Sequence, residues 1–372
     1  MKTFNICRVI TRLPVGGIER RLVAVLPRLN TPPFSVRLAC LHERGALADE
    51  LEAAGVPVDL VKLRSRLSPT GLRSLAAYFR QHRIDLVHAH MYRSNTPATI
   101  AGRLAGIKCV LAQVHNTGTW ETLRQRLMDR LLNHFRTGMI AVSRRVQDDV
   151  CHQFGCPPEF VHLLYNGVDV APFRDAPVDL ALKQELGVKP GEVAAVVVAR
   201  LHPQKNHALL LKSIQQLGEK ADKLKVILVG DGSHESELRK LAEELEVASR
   251  VIFVGQRDDV ARFYKFADFS ILPSLKEGFS NTVIESMIVG CPVIATDVGG
   301  NREAIVDGET GLIVPSGDQA ALARAIQELL ENPARCRKMS QAASLRGEIF
   351  SLEAMLEATR SLYLSLLEGS SV

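Results

Sequence analysis

The chain has 372 residues, of which 46% are hydrophobic and 23% are charged. This length is enough for two domains, and the composition excludes a disordered or fibrous chain. No apolar run reaches the ~18 residues that a membrane-spanning helix needs, and the first residues lead directly into a strand-like segment without a signal peptide. The seven cysteines are scattered, with no CxxC pair. We therefore expect a cytoplasmic protein with reduced thiols.

The charge is distributed unevenly along the chain. Residues 1–170 contain 23 basic and 13 acidic residues, a net charge of +10, whereas residues 171–372 contain 23 and 28, a net charge of −5. A basic half indicates an acidic partner, such as a phosphate-bearing substrate, an anionic membrane surface or nucleic acid. We do not expect nucleic acid, because only 5% of the residues are aromatic and no known nucleic-acid-binding module is visible.

Short apolar segments alternate with amphipathic helical patterns from one end of the chain to the other. The strand-like segments are residues 4–10, 85–90, 108–115, 139–143, 193–199, 225–229, 251–254, 269–272 and 292–295. Such alternation is typical of parallel sheets whose strands are joined by helical crossovers. It predicts an α/β protein with two doubly wound parallel sheets.

The domain boundaries follow from a stretch rich in proline and glycine at residues 166–191. We expect a first Rossmann-like domain at residues 1–168, a linker at 169–191 and a second Rossmann-like domain at 192–348, with a cleft between the two domains. The last helical segment, residues 349–372, has no strand after it and is expected to return to the first domain. In open parallel sheets, ligands bind beyond the carboxyl ends of the strands, so the loops at those ends hold the candidate functional residues.

Two glycines, Gly16 and Gly17, lie between the first strand and the first predicted helix. They would let the backbone approach a ligand closely, and the N-terminus of the helix favours an anion. A plain tight turn explains the same pair. The GxGxxG fingerprint of dinucleotide-binding enzymes is missing here.

A basic loop follows the first strand of the second predicted domain. It carries Arg200 and Lys205. Two cations at the carboxyl end of a buried strand can hold a diphosphate, the arginine through its planar fork and the lysine as a point charge. A solvated basic turn is the alternative interpretation.

Residues 275–287 (LKEGFSNTVIESM) contain two carboxylates, Glu277 and Glu285, on either side of a loop and a helix start. The loop and the helix start comprise Gly278, Phe279, Ser280, Asn281 and Thr282. We expect Ser280 or Asn281 to cap the helix, whose free amides can bind a phosphate together with the basic loop. Glu285 is placed to accept hydrogen bonds from ribose hydroxyls. The alternative is a pair of surface carboxylates beside an ordinary helix.

His88 and His90 lie two positions apart on one predicted strand, and we interpret them as pointing to opposite faces. A His-x-His pattern is found in metal sites, but no third ligand has suitable spacing. We therefore expect no metal site.

Two helices in the basic half combine an apolar face with arginines. The first starts at Ser68 and Pro69, and its apolar face consists of Leu72, Leu75, Ala76 and Phe79. The second has an apolar face of Leu123, Leu127, Leu131 and Phe135, and we expect its arginines Arg124, Arg126, Arg130 and Arg136 to be exposed. Docking on anionic lipid is one interpretation of these faces, and packing into the protein core is the other.

The loop with Arg200 and Lys205, followed by the segment from Glu277 to Glu285, resembles the retaining glycosyltransferases of sequence family 4, which have the GT-B fold. Further similar segments are GGIERR (16–21), DLVHAH (85–90), AVSRRVQDD (141–149), NGVD (166–169), VGDG (229–232), ATDVGGNREAI (295–305) and DGETGLIVPSGD (307–318). The resemblance covers nearly the whole chain and is strongest over residues 193–320.

The resemblance implies that the second domain binds most of a nucleotide-sugar donor. By this analogy, Arg200 and Lys205 neutralise the diphosphate. Glu285 binds the ribose, and Glu277 lies at the donor sugar. Gly17 brings a backbone amide to the phosphates.

The resemblance also implies a nucleobase pocket and a histidine at the sugar. The residues implied to line the nucleobase pocket are Gly230, Asp231, Gly255 and Arg257. His115 would lie near the donor sugar and the acceptor. The acidic residue that usually follows this histidine is replaced by Asn116, so we expect no carboxylate function there.

The implied reaction is the transfer of a hexose, with retention of configuration, from a nucleotide-sugar to a hydroxyl of a glycolipid or polysaccharide precursor. UDP is the expected nucleotide. The implied pathways are lipopolysaccharide, capsule or exopolysaccharide synthesis, at the inner face of the cytoplasmic membrane. No cofactor or metal is expected, because the donor is a substrate and the protein's own cations and helix start stabilise the leaving diphosphate.

Three alternatives stay open at this stage. The first is a GT-B nucleotide-sugar epimerase, which needs no acceptor. The second is a dinucleotide-dependent oxidoreductase, against which the missing glycine fingerprint argues. The third is a small-molecule-binding protein without catalysis.

Overall fold

The computed structural model describes residues 2–118 and 122–369. The chain divides into two compact units. The first unit consists of Met1–Gly167 together with Leu352–Val372, and the second consists of Val168–Ser351.

Strands and helices alternate along the described chain. The strands are β1 (Phe4–Ile10), β2 (Phe34–Cys40), β3 (Val58–Leu60), β4 (Leu86–His90), β5 (Cys109–Val114), β6 (Gly138–Ala141), β7 (Val161–Leu163), β8 (Val193–Val198), β9 (Leu224–Val229), β10 (Val251–Gly255), β11 (Phe269–Leu272), β12 (Val293–Thr296) and β13 (Gly311–Val314). The α-helices are α1 (Gly17–Leu29), α2 (Ala48–Ala53), α3 (Pro69–Gln81), α4 (Tyr92–Leu104), α5 (Leu123–Asn133), α6 (Arg144–Phe154), α7 (Ala171–Arg174), α8 (Leu180–Glu185), α9 (His207–Leu217), α10 (Glu235–Glu244), α11 (Val260–Phe266), α12 (Asn281–Ile288), α13 (Asn301–Ala304), α14 (Gln319–Glu331), α15 (Pro333–Gly347) and α16 (Leu352–Gly369).

The sheet of the first unit has seven strands in the order β3-β2-β1-β4-β5-β6-β7, and all its pairs are parallel. Strand β1 shows why these strands are apolar throughout. Ile6 and Ile10 pack into one core, and Cys7 and Val9 pack into the core on the other face of the sheet. Helices cover both faces of a parallel sheet, so both sets of side chains must be apolar.

The C-terminal helix α16 packs against the first unit. Its residues Met355, Leu356 and Tyr363 belong to the same core as Ile6 and Ile10 of β1. The expectation that this helix returns to the first domain is therefore confirmed.

The sheet of the second unit has six strands in the order β10-β9-β8-β11-β12-β13, again with parallel pairs. The predicted pair of doubly wound parallel sheets is confirmed. In each sheet the first three strands follow one another toward one edge, and the next strand then pairs with the other side of the first strand. This chain reversal lies between β1 and β4 in the first sheet and between β8 and β11 in the second. Ligands of open α/β sheets bind in the crevice that forms at such a reversal.

The stretch that we expected to be a linker, residues 169–191, belongs to the second unit and contains α7 and α8. Leu182 and Val188 of this stretch pack into a core of that unit, which holds the segment in place. Proline and glycine signalled the change of unit, but they did not prevent short helices from forming between them.

The two helices with apolar faces differ in what those faces contact. The apolar face of α3, from Leu72 to Phe79, is buried, as expected for packing into a core. The apolar side chains of the α5 segment are instead exposed by 71% (Leu123), 57% (Leu127), 58% (Leu131) and 47% (Phe135).

Helix α5 is held to its unit by other residues. Leu132 is buried, and Asp129 forms a buried ion pair with Arg136 at 2.6 Å. The expectation that Arg136 is exposed is therefore wrong. The side of α5 that packs inward is the one with Asp129, because its charge is neutralised by this arginine.

All seven cysteines are free. Across residues 2–118 and 122–369, no helix is both long enough and apolar enough to span a membrane.

Candidate active site

At the chain reversal of the second sheet, a lysine and a glutamate contact each other. Lys205 ends a short 3-10 turn after β8, and Glu277 follows β11, the strand paired with β8. The Lys205 Nζ donates to Glu277 Oε1 at 2.6 Å. The Ser274 hydroxyl donates to the same oxygen at 2.7 Å. Both charged side chains are mostly buried, so the ion pair is shielded from solvent.

The loops that carry this pair are fastened to each other by Gln204. Its carbonyl accepts from the Leu275 amide at 2.8 Å, and its side-chain Nε2 donates to the Lys276 carbonyl at 2.7 Å. These bonds bring together residues that are 72 positions apart in the chain. The positions of Lys205 and Glu277 are thus set by these two hydrogen bonds between the loops as well as by the ion pair.

Arg200 follows the end of β8, in the same loop as Lys205. Its side chain is exposed, and within the described ranges the structure records neither an ion pair nor a side-chain hydrogen bond for its guanidinium. Five N–H donors are therefore available for a ligand.

The backbone around Arg200 is held by two glycines of the loop after β9. Gly230 has φ 143°, and a Cβ there would lie 2.1 Å from the Ala199 carbonyl oxygen. Gly232 has φ 157°, and a Cβ there would lie 2.3 Å from the Leu201 carbonyl oxygen. The Leu201 amide donates to the Asp231 carbonyl at 2.7 Å. Only glycine fits at these two positions.

Helix α12 begins at Asn281, with Ser280 in the N-cap position. No side chain caps this helix, and the Ser280 hydroxyl is instead 3.0 Å from the Thr282 hydroxyl. The preceding loop is fixed by Gly299, whose φ is 53° and where an added Cβ would lie 2.3 Å from the Glu277 carbonyl oxygen. The expected side-chain cap is thus not made, and the positive end of the helix can take an anion.

Phe279, which we expected at the donor site, has its ring buried against Phe350, with the ring centroids 5.1 Å apart. The side chain therefore contributes to packing, and a ligand contact would have to come from the backbone between Gly278 and Ser280.

Glu285 lies in the second turn of α12 and is partly buried. Burial raises the pKa of its carboxyl to about 7, and the nearby charge of Lys205 opposes part of this shift. Among the described residues, none makes a hydrogen bond to this carboxyl group. It is therefore ready to accept hydrogen bonds from a ligand.

The residues predicted for the nucleobase pocket come together at the ends of β9 and β10. The Gly230 amide donates to the Gly255 carbonyl at 2.8 Å, which joins the two loops. Asp231 is exposed next to this contact. Arg257 directs its fork at Asp259, with two bonds of 2.8 Å, and this pairing lowers the pKa of Asp259 to about 2. The positive charge of Arg257 is therefore balanced by Asp259.

At the chain reversal of the first sheet, Gly16 and Gly17 begin α1. Gly16 has an extended backbone, and a Cβ at Gly17 would meet nothing within 4 Å. Neither the backbone conformation nor a neighbouring atom within the unit demands a glycine at position 17. The missing side chain leaves the amide at the start of α1 open to a ligand.

His115 follows β5 in the same unit and contacts Arg21 and His90, with nitrogen–nitrogen distances of 3.1 Å to each. His88 and His90 stack on the same face of β4, with ring centroids 4.5 Å apart. Our interpretation that they point to opposite faces is wrong, because alternate residues of a strand share a face.

The sequence did not point to Arg8, Arg21 or Tyr363, which all bond to these histidines or to each other. The one available signal was Arg8, an arginine inside an otherwise apolar strand. A buried arginine needs acceptors, and its position therefore marks a polar network.

No group of three or more histidine, cysteine, aspartate or glutamate side chains in the described ranges is arranged to hold a metal ion.

Two family models match the chain one after the other. Glycosyltransferase Family 4 matches residues 15–172, and Glycosyl transferases group 1 matches residues 179–346. The chain is a family 4 glycosyltransferase with the GT-B fold. This places it among transferases, and not among nicotinamide-dependent oxidoreductases or proteins that only bind a small molecule.

Named relatives of this glycosyltransferase share its sequence over most of its length. The putative glycosyltransferase EpsD of Bacillus subtilis is 29% identical, over 80% of this chain and 82% of the relative. An Escherichia coli enzyme named UDP-Gal:alpha-D-GlcNAc-diphosphoundecaprenol alpha-1,3-galactosyltransferase is 27% identical, over 82% of each chain.

Solved structures agree on the fold of the glycosyltransferase. Anabaena HepE in complex with UDP-glucose has a TM-score of 0.85 at 23% identity and covers 96% of this chain and 99% of its own. A glycosyltransferase from Rickettsia africae has a TM-score of 0.87 at 20% identity and covers 99% of both chains.

Proposed function

We propose that this glycosyltransferase transfers a hexose, with retention of configuration, from a UDP-sugar to a hydroxyl of a lipid-linked saccharide. The observation that carries the proposal is the 2.6 Å contact between Lys205 and Glu277 at the chain reversal of the second sheet, with the exposed Arg200 in the same loop as Lys205. Similar proteins are named for a UDP-galactose donor and a diphosphoundecaprenol-linked acceptor, or were solved with UDP-glucose, which supports the choice of donor and acceptor.

The diphosphate of the donor is bound without a divalent metal. Arg200 supplies a planar fork, Lys205 a point charge, and the uncapped start of α12 at Asn281 supplies backbone amides. Together they stabilise the negative charge that develops on the leaving nucleoside diphosphate as the bond to the sugar breaks.

Glu277 acts at the sugar. As the anomeric carbon loses its bond to the diphosphate it becomes positively charged, and a nearby carboxylate stabilises that charge. Ser274 and Lys205 hold the Glu277 carboxylate in place. The acceptor oxygen then forms the new bond to the anomeric carbon, and its proton passes to an oxygen of the leaving nucleoside diphosphate, which has taken the electron pair of the broken bond.

Glu285 binds the ribose of the donor. Its carboxyl accepts hydrogen bonds from two adjacent hydroxyls, which explains why an unpaired carboxyl lies partly buried in the second turn of α12. The loops at Gly230 and Gly255 lie at the neighbouring strand ends, where the base of the nucleotide would follow the ribose.

The donor assignment is tested by isothermal titration of UDP, GDP and ADP into the wild-type protein and into Glu285→Ala. We expect one strong ligand, UDP, and about tenfold or greater loss of its affinity in the variant, as for the loss of hydrogen bonds to a charged group. Glu243→Gln, a change at an exposed carboxylate of α10, is the matched control. Equal UDP affinity in all three proteins, or binding of GDP or ADP alone, contradicts the assignment.

The acceptor is tested by offering UDP-glucose, UDP-galactose and UDP-N-acetylglucosamine together with a short-chain prenyl-diphosphate-linked sugar. Mass spectrometry should show one added hexose mass on the acceptor. Proton NMR of the product should show the same anomeric configuration as in the donor. An inverted product, or interconverted UDP-sugar without any need for acceptor, contradicts the proposal and favours an inverting enzyme or an epimerase.

The exposed side of α5 is the surface that we assign to the membrane. Its apolar side chains Leu123, Leu127 and Leu131 line an open groove together with Arg124. Exposed arginines flank this side: Arg124, Arg126 and Arg130. An apolar stripe with flanking arginines is complementary to an anionic lipid surface, and it would keep the enzyme close to a lipid-linked acceptor.

Vesicle flotation tests this surface. The wild-type protein should float with vesicles of phosphatidylglycerol and phosphatidylcholine, and much less with phosphatidylcholine alone. The double variant Leu127→Glu, Leu131→Glu should stay at the bottom of the gradient. Leu345→Glu, at a leucine of the second unit that is 76% exposed, is the control for a charge added at an exposed leucine. Flotation of the double variant at the wild-type level contradicts the assignment.

A further inference from the structure

A chain of hydrogen-bonding groups runs through the first unit from a buried arginine to His115. Arg8 Nε lies 2.9 Å from His90 Nε2. His90 Nδ1 lies 3.1 Å from His115 Nε2, and His115 Nδ1 lies 3.1 Å from a terminal nitrogen of Arg21. Arg8 and His90 are both 1% exposed, so solvent does not take part in the inner contacts.

The inner end of the chain is anchored by Tyr363 of α16. Its hydroxyl accepts from Arg8 at 2.7 Å and lies 2.6 Å from His88 Nδ1. His88 Nε2 lies 3.0 Å from the side-chain oxygen of Gln113. The tyrosine proton therefore points to His88 Nδ1, and His88 carries its own proton on Nε2, so that every contact at this end pairs one donor with one acceptor.

Arg8 then fixes the protons of the next two residues. A guanidinium only donates, so His90 Nε2 must accept and the proton of His90 must lie on Nδ1. That proton is donated to His115 Nε2, which leaves the proton of His115 on its own Nδ1. Arg8 thus determines the tautomer of His115 through His90, although it does not contact His115 itself.

The outer contact does not fit this assignment. The Nδ1–H of His115 faces Arg21, which also only donates. The three contacts (Arg8 to His90, His90 to His115, and His115 to Arg21) need one proton each. The two guanidinium groups supply one proton each and the two neutral imidazoles supply two more, so one proton has no acceptor. Burial and the two arginines hold the pKa of His90 and of His115 well below the ordinary value, so both are neutral, and a lowered pKa of about 10 leaves Arg21 charged near pH 7.

Two donors that face each other are stabilised when an acceptor enters between them. No ion pair with a carboxylate is recorded for Arg8 or Arg21 within the described part of the chain. The negative charge of Glu19 acts on Arg21, but one carboxylate does not balance two guanidinium groups, so the cluster has an excess of positive charge. Of the two contacts to an arginine, the one with Arg21 is the less buried, because His115 is only partly buried. An anionic oxygen is the acceptor that satisfies both the charge and the hydrogen bonds.

We propose that Arg8, anchored by Tyr363, fixes His115 as an Nδ1–H donor, and that His115 and Arg21 together bind a phosphoryl oxygen of a ligand. Arg8 and Tyr363 are positioning residues in this arrangement, and Arg21 and His115 contact the ligand. The inference rests on the proposed function for its ligand, since both the donor and a lipid-linked acceptor contain phosphoryl groups.

The tautomers are tested by long-range ¹⁵N–¹H correlation spectra of the full-length protein labelled at histidine. Signals are assigned with His88→Gln, His90→Gln and His115→Gln. We expect the proton on Nδ1 in His90 and His115 and on Nε2 in His88. A proton on Nε2 of His115 overturns the inference, because Nδ1 would then simply accept from Arg21.

The ligand is tested on the same spectra with UDP, a short-chain prenyl diphosphate and uridine. The Nδ1 proton of His115 should move downfield with UDP or with the prenyl diphosphate, and the compound that acts at the lower concentration identifies the source of the oxygen. Uridine, which has no phosphoryl group, should have no effect. No shift with either diphosphate, or the same shift with uridine, overturns the inference.

Two variants test the separate contributions. Arg21→Gln should weaken binding of the diphosphate that moves the His115 signal by about tenfold or more, the effect of one charge-assisted hydrogen bond, whereas Arg20→Gln on the same helix should not. Tyr363→Phe keeps the ring that packs edge-on against Phe34 and removes only the hydroxyl. It should change the His115 tautomer signal and lower the melting temperature by several degrees, because an Arg8 N–H loses its buried acceptor. An unaltered His115 signal overturns the positioning role.

The outcome is distinguishable from failure of the proposed function. UDP affinity that depends on Glu285 but leaves the His115 signal unchanged would overturn this inference and leave the donor site intact. Loss of UDP binding altogether, with a prenyl diphosphate still acting on His115, would overturn the donor assignment instead.

Discussion

The raised pKa of Glu285 makes the stability of the second unit depend on pH in a way that one substitution removes. The carboxyl has an ordinary pKa of 4.5 and a pKa of about 7 in the folded protein, because it is partly buried and lacks a hydrogen-bond partner in the described structure. Between these two values the folded state binds a proton that the unfolded state has already released. The free energy of unfolding therefore falls as the pH rises through this window.

The magnitude follows from the width of the window. Each pH unit is worth about 1.4 kcal/mol per proton, so the contribution of this group changes by about 3 kcal/mol between pH 4.5 and pH 7 and is constant above it. For a unit of this size, 1 kcal/mol moves the melting temperature by roughly 2–4 °C. Glu285→Gln keeps the shape and cannot ionise, so the variant should gain several degrees over the wild type between pH 5 and pH 8.

The assay is a set of thermal melts of the wild type and Glu285→Gln at pH 5, 6, 7 and 8, without nucleotide. Glu243→Gln, at an exposed carboxylate, controls for the loss of one negative charge and should stay parallel to the wild type at every pH. The difference between the wild type and Glu285→Gln should grow up to about pH 7 and then level off. A difference that is the same at all four pH values refutes the reasoning, because Glu285 would then be ionised throughout.

Further expectations concern the two strand-end sites. Glu277→Gln should lower kcat more than it raises KM in steady-state kinetics, because the carboxylate acts on charge that develops in the transition state; an unchanged kcat would contradict this. Lys205→Met should raise the KM for the donor and the Kd of UDP measured by titration, and addition of EDTA should leave the wild-type rate unchanged. Gly230→Ala should cost about 1–3 kcal/mol in denaturant unfolding, since its φ is 143° and the Ala199 carbonyl is in contact, whereas Gly17→Ala should fold normally and lose only ligand affinity.

Much of the fold and part of the site could be predicted, because both rest on local pattern. The alternation of apolar segments and helices predicted both sheets, and the rule that ligands bind at carboxyl strand ends pointed to the loops with Arg200, Lys205 and Glu277. The contact between Lys205 and Glu277 itself was not predictable, because it depends on Gln204 fastening two loops across 72 positions of sequence.

The sequence was least informative about whether a given side chain faces the core or the solvent. The period of Leu123, Leu127 and Leu131 correctly describes one face of α5, but periodicity does not say whether a face meets the core or the solvent. The direction was decided by Asp129 and Arg136, whose buried pairing turns the apolar face outward. In the same way, the polar loop sequence around Phe279 did not reveal the contact of its ring with Phe350.

In the proposed reaction, the ion pair between Lys205 and Glu277 links donor binding to the chemistry of the second unit. Without a donor, each group neutralises the other, and the carboxylate has no unbalanced charge. When a diphosphate takes up the charge of Lys205, the negative charge of Glu277 is balanced less well by the lysine and can act on the positive charge of the sugar. We therefore expect the carboxylate to stabilise the transition state most strongly when the diphosphate is fully bound. Removing Lys205 should still impair both binding and turnover, because the lysine holds the carboxylate in place and is proposed to stabilise the leaving diphosphate.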